Sequence, residues 1–112
     1  MLTRIEKPQW QPYFDRLSAA LGAKNVEIDI VGPGLGSETQ ARRIALTGLS
    51  YDSKDDIFAV ISEDLEHNIA HPRQINVDEE LDSVHSLEVV DADGDHHILT
   101  LTDPLRLPPP SG

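Results

Sequence analysis

His67 and His71 occupy alternate positions of a short apolar segment with Ile69 between them, and Glu63, Asp64 and Glu66 stand just upstream. In a strand His67, Ile69 and His71 share one face. Imidazole and carboxylate together are a donor set that divalent metals accept, so His67 and His71 are the candidate metal ligands. One ion would need both rings to converge. His-Asn-Ile-Ala-His lacks the Glu of the zinc-protease helix motif, and Pro72 directly after it argues against a helix. A structural or solvent-facing role accounts for the same histidines. His96 and His97, at the start of the last apolar run, add to the unusual histidine content.

Other groupings have simpler readings. Asp91, Asp93 and Asp95 follow the spacing of a calcium loop, but His96 stands where that loop needs glycine and Thr102 where it needs glutamate. Gly32-Pro33-Gly34-Leu35-Gly36-Ser37 resembles a dinucleotide fingerprint with serine in place of the last glycine. The preceding strand alternates Glu27 and Asp29 with its apolar residues, and a sheet covered on both faces would bury those carboxylates. A hairpin loop fits better. Ser50 and Ser62 sit in no nucleophile elbow. With no cysteine in the chain there is no thiolate site, disulfide or thiol nucleophile. No cofactor is implied.

The elements that carry these residues follow from periodicity. Trp10, Phe14, Leu17 and Leu21 recur at helical spacing, which predicts an amphipathic helix from Pro8 to Gly22. Pro12 belongs in its first turn, and Gly22 suits its left-handed end. Val26, Ile28 and Ile30 alternate with polar residues, the mark of a half-buried strand. A second strand over Ala41 to Tyr51 changes phase at Gly48, where a β-bulge is expected. Ile57 to Ile61 is apolar on both parities and reads as a central strand. The strand of His67 and His71 breaks at Pro72, with a short edge continuation at Ile75 and Val77.

Asp91-Ala92-Asp93-Gly94 suits a type I turn with Gly94 left-handed, which pairs Leu87 with Leu99 and His85 with Leu101. Leu87, Val89, Leu99 and Leu101 then form one buried face. The expected fold is α+β and mostly β: an N-terminal amphipathic helix packed on an antiparallel meander, or a small partly open barrel, of about six to seven strands. Residues 1–104 form a single domain, and 105–112 a Pro-rich, mobile tail.

Twenty acidic residues against nine basic ones give a net charge of -11, which repels phosphate backbones and anionic membranes. The basic pair Arg42-Arg43 points to opposite faces of a strand. No stretch approaches the roughly 20 apolar residues of a membrane span, and no leader is evident, so a cytoplasmic location is expected.

Trp10 with Phe14-Asp15, Gly32 with Leu35-Gly36, Leu46-Thr47-Gly48-Leu49-Ser50-Tyr51-Asp52 leading into Lys54-Asp55-Asp56, Glu66-His67 with Ile69 and His71-Pro72, and Asp93-Gly94 occur in an order that resembles the small bacterial domain of unknown function family 5335. The resemblance covers Arg4 to Pro104. It implies a bacterial, stand-alone, β-rich domain and brings no assigned activity or catalytic residue. From the residues themselves, the expected function is a non-enzymatic protein-interaction module, self-associating, that presents a strand edge or the surface of His67, Ile69, His71 and Ile75 to its partner. The alternative is a divalent-metal or small-ligand binder on the His67/His71 face.

Overall fold

The computed structural model describes residues 2–19, 24–33, 36–63, 66–80 and 83–106. Its eight strands form one antiparallel sheet in the order β1-β6-β7-β8-β2-β3-β4-β5. They are β1 (Leu2–Ile5), β2 (Lys24–Gly32), β3 (Gly36–Asp52), β4 (Ile57–Ser62), β5 (Glu66–Ala70), β6 (Pro72–Glu80), β7 (Ser83–Asp91) and β8 (His96–Arg106). Among the described residues the sheet does not close.

A single residue, His71, joins β5 at one edge of the ladder to β6 near the other. Successive Cα atoms are about 3.8 Å apart, so the end of β5 and the start of β6 lie within roughly 7 Å. The strands between them in the ladder must therefore curl around a common interior. That interior is filled by Val26, Ile28, Leu46, Leu49, Phe58, Val60, Ile69, Ile75, Val77, Leu87, Val89 and Leu99, nearly all fully buried.

Helix α1 (Trp10–Ala19) follows β1 through one 3-10 turn over Lys7–Gln9. Pro12 falls in its first turn, where its missing N–H costs least. Trp10, Tyr13, Phe14 and Leu17 are buried at i, i+3, i+4, i+7, so Tyr13 joins the expected apolar face. Leu21 and Gly22 lie outside the described residues. Phe14 meets Phe58 edge to face, with ring centroids 4.8 Å apart. The Ser18 hydroxyl donates to the Leu49 carbonyl and accepts from the Leu49 N–H. Those groups follow the register shift between Leu46 and Gly48, where the expected bulge occurs. The helix is thus anchored at the irregularity in β3.

The last hairpin follows its turn chemistry. Gly94 N–H donates to the Asp91 carbonyl and Asp91 N–H to the Asp95 carbonyl, Gly94 has φ of 85°, and Leu87 pairs with Leu99. The expected pairing of His85 with Leu101 does not form. A register shift between Val84 and Ser86 puts Val84 opposite Leu105, so β8 extends to Arg106, beyond the expected start of the tail. Residues 107–112 lie outside the described set.

Three expectations change for tertiary reasons. β4 is central as expected, with strands on both sides, but it buries one face only: Phe58, Val60 and Ser62 are buried, while Ile61 is 36% exposed. β6 is not an edge, because β1 pairs along it from Leu2↔Asp78 to Ile5↔Ile75. β3 begins at Gly36, since Gly32 pairs with Gly36 and the polar residues after it complete the ladder with β2. Gly34 and Leu35 lie outside the described residues.

Candidate functional site

The curl brings β5 over β8 and creates a buried polar chain. His97 on β8 is 7% exposed. Its Nε2 lies 2.8 Å from Asp91 Oδ2, and its Nδ1 lies 3.0 Å from His67 Nε2 on β5. Asp91 Oδ1 meanwhile accepts the backbone N–H groups of Asp93 and Asp95.

Burial alone would raise the Asp91 pKa. The bond from His97 and the two backbone donors outweigh it and hold the carboxyl below its ordinary range. Burial, and then the neighbouring His97, push the His67 pKa down. A carboxylate at one end fixes a proton on His97 Nε2. A single proton then bridges the two rings, donated by His67 when His97 is neutral. The chain orients imidazoles as a catalytic triad does, but it ends on a second imidazole in place of a hydroxyl or thiol.

On β6 to β8, a second polar chain runs from Gln74 to Asn76, from Asn76 to Glu88, and from Glu88 to His96. These contacts bind neighbouring strands together.

The second cluster lies where α1 begins and β3 turns into β4. Lys7, Pro8, Gln11, Tyr51, Ser53 and Asp56 line a surface cleft of about 520 Å³. Tyr51 belongs to the inward parity of β3 and packs its ring edge on Trp10 at 5.0 Å. Its hydroxyl donates to Asp56 Oδ1 at 2.7 Å. His71 Nδ1 is 3.3 Å from Asp56 Oδ2, and Lys7 Nζ is 3.9 Å from Asp56 Oδ1. The Tyr51 bond is the main influence holding the Asp56 pKa down, against some burial and with help from His71 and Lys7. Burial and that same bond push the Tyr51 hydroxyl up to about 12.

Asp56 and His71 share a backbone peculiarity. Both have φ of 54°, and no other described residue except glycine is left-handed. His71 N–H donates to the Asp56 carbonyl at 2.8 Å. They form the last rung beyond the β4–β5 ladder, which runs from Ile57↔Ala70. Left-handed backbone at a polar cleft is strain kept in place by surrounding structure.

The residues singled out from the sequence therefore separate. His67 faces the interior and bonds His97; His71 turns away at its left-handed φ and faces Asp56, with its side chain 70% exposed. The strand-face rule paired them because it assumes the strand continues through His71. Ile69 and Ile75, expected on an interaction surface, are 2% and 0% exposed and belong to the core. The reason is that β5 and β6 both turn the face carrying these residues to the curled interior. The described His, Asp and Glu groups that could jointly hold an ion are Asp91, Asp93 and Asp95, whose ligand atoms lie within 4.8 Å of one another. Asp91 there already serves the turn and His97. Lys7 escaped sequence reasoning because no spacing links it to Tyr51 and Asp56, which the sequence offered only as part of the family pattern.

Fold and site together define a small antiparallel β domain, curled around an aliphatic core, with one helix and a polar cleft at the helix start. Among the described residues, no helix is long and apolar enough to cross a membrane. The chain belongs to a family of unknown function, DUF5335, whose profile matches residues 1–110. It is similar to an uncharacterized protein of Aquifex aeolicus (strain VF5), 40% identical over 105 residues, which are 93% of this chain and 95% of the relative. No solved structure matches it.

Proposed function

We propose that this protein is a non-enzymatic protein-interaction module that self-associates through the outer edge of β5. The carrying observation is that β5 is the last strand of the ladder and carries one charged residue, Glu66, with no lysine or proline within the strand. Natural proteins blunt exposed edges with such residues or with very short strands. The other edge, β1, is four residues long and contains Arg4. Beside β5, the outer face of β3–β4–β5 offers a shallow hollow of about 290 Å³ containing Ile57, Ala59 and Ile61, rimmed by Ser50, Asp52, Glu66 and Asn68.

Symmetry selects the mode of pairing. A β1-to-β5 contact is head to tail and would propagate, whereas β5 against a second β5 closes as a two-fold dimer. An antiparallel pair centred on Asn68 sets Glu66 opposite Ala70 and keeps the two glutamates apart. The net charge of -11 disfavours nucleic acid as the partner. The Asp91–His97 pair leads to His67 and to no nucleophile, which favours binding over catalysis. For a metal at His67 and His71, the different partners of the two rings give no support.

Light scattering coupled to size exclusion tests the proposal. His71 N–H bonds toward β4, so alternation sends the Asn68 N–H to the open edge. Asn68→Pro removes that donor without touching the β4 ladder. A dimer that becomes monomeric in this variant supports the reading, and a parent that is monomeric at about 1 mM, where even weak complexes populate, refutes it.

A further inference from the structure

We propose that the cleft between the helix start and the β3–β4 turn binds a small α-amino-acid-like zwitterion, with Asp56 receiving its ammonium and Lys7 its carboxylate. The cleft, at about 520 Å³, has the size of a small-ligand site. Its two charges form a long ion pair with each other, and each is also held by other groups. Tyr51 and His71 hold Asp56 from both oxygens. Lys7 lies over the Trp10 ring, 5.6 Å from its centroid. Between Lys7 and Asp56 the separation is 3.9 Å, too long for a hydrogen bond.

A carboxylate has about four acceptor positions, so Asp56 can take an ammonium without surrendering Tyr51. A Lys ammonium has three donors and can meet a ligand carboxylate. The juxtaposition also rejects the halves of such a ligand. A lone anion meets the Asp56 charge and a lone cation meets Lys7, each an unfavourable like-charge contact. Only a molecule carrying an ammonium and a carboxylate on the same carbon satisfies both walls. Gln11 and Ser53 add polar contacts at the rim, while Pro8 and the Tyr51 ring give an apolar wall for a side chain.

The paired left-handed residues fit the same role. Asp56 and His71 hold left-handed backbone at one rung, Asp56 lining the cleft and His71 contacting its carboxylate from outside the lining, and strain of this kind concentrates at ligand sites. This site is distinct from the β5 edge, so the two proposals can fail independently.

The test uses the full chain labelled with nitrogen-15, titrated in turn with each of the twenty common L-α-amino acids. The tightest ligand is then compared with the amine lacking its carboxylate and the acid lacking its amine. The expected result is saturable amide shifts confined to Lys7, Gln11, Ser53, Asp56 and His71, with Kd below about 10 mM. Each half-molecule should bind at least about tenfold more weakly. Lys7→Met, at a side chain 60% exposed, leaves the rest of the spectrum unchanged and weakens binding at least about tenfold. The proposal is overturned if no amino acid shifts these amides, if either half binds as tightly as the whole, or if Lys7→Met leaves the affinity unaltered.

Discussion

Asp91 joins a turn to a buried imidazole chain, and two substitutions there separate its roles. Asp91→Asn keeps one carbonyl oxygen for the N–H groups of Asp93 and Asp95 and presents an amide to His97 Nε2. His97 must then accept at Nε2 and carry its proton on Nδ1, donating to His67, whose own proton moves to its far nitrogen. A charged acceptor is exchanged for a neutral group, which costs about 1 kcal/mol. Asp91→Ala leaves the His97 Nε2–H without a partner at a side chain 9% exposed, a loss of about 1–3 kcal/mol. It also frees two turn N–H groups that water reaches at the hairpin tip, adding at most about 1 kcal/mol. The alanine variant should therefore lose about 1–4 kcal/mol, centred above the loss in the asparagine variant.

Urea unfolding with an unchanged slope reads the stabilities, and long-range proton–nitrogen spectra of the rings near about pH 7.5 read the tautomers. If Asp91→Ala stays within about 0.5 kcal/mol of the parent, or if His97 keeps its proton on Nε2 in the asparagine variant, the relay described here is wrong.

Phe14→Ala should cost about 3–5 kcal/mol in the same unfolding assay, because Phe14 is 0% exposed and packs edge to face on both Tyr13 and Phe58. Gly36→Ala should cost about 1 kcal/mol through its φ of 69°. Gly48→Ala should stay within about 0.5 kcal/mol, since the new Cβ would meet Ile61 Cδ1 at an ordinary 3.7 Å; equal losses would contradict the backbone assignment. Folded His67 holds a lowered pKa, so its contribution is complete above the unfolded value of about 6.5 and declines as pH falls through the folded one. Asp56 and Asp91, also lowered, add losses below an unfolded value of about 3.9. Thermal midpoints should fall from about pH 6.5 downward, and His67→Phe should remove the first part of that decline.

Much of the sheet was legible because strands with one wet face must alternate. Val26 and Ile28, the phase change at Gly48, and the Asp91–Gly94 turn each carry their signal within a few residues. β1 carried none, since Leu2 to Ile5 is mostly exposed and is a strand only through its bonds to β6. The polar start of β3 is a strand for the same reason, its ladder with β2. The histidines misled for a local reason with a distant cause: His71 leaves the strand because one residue must carry the chain from β5 to β6.

Side-chain period and turn chemistry, both local properties of the chain, determined that this protein is an antiparallel β domain with one leading helix. The lack of cysteine likewise needed no coordinates to exclude thiol chemistry. Only the curl of the sheet decided that His67 meets His97 and that Ile75 is buried. The docking of the helix start decided that Lys7 reaches Asp56. Such meetings depend on which distant strands share an interior, and hydrophobic burial, being non-directional, leaves that choice to the packing of the whole chain.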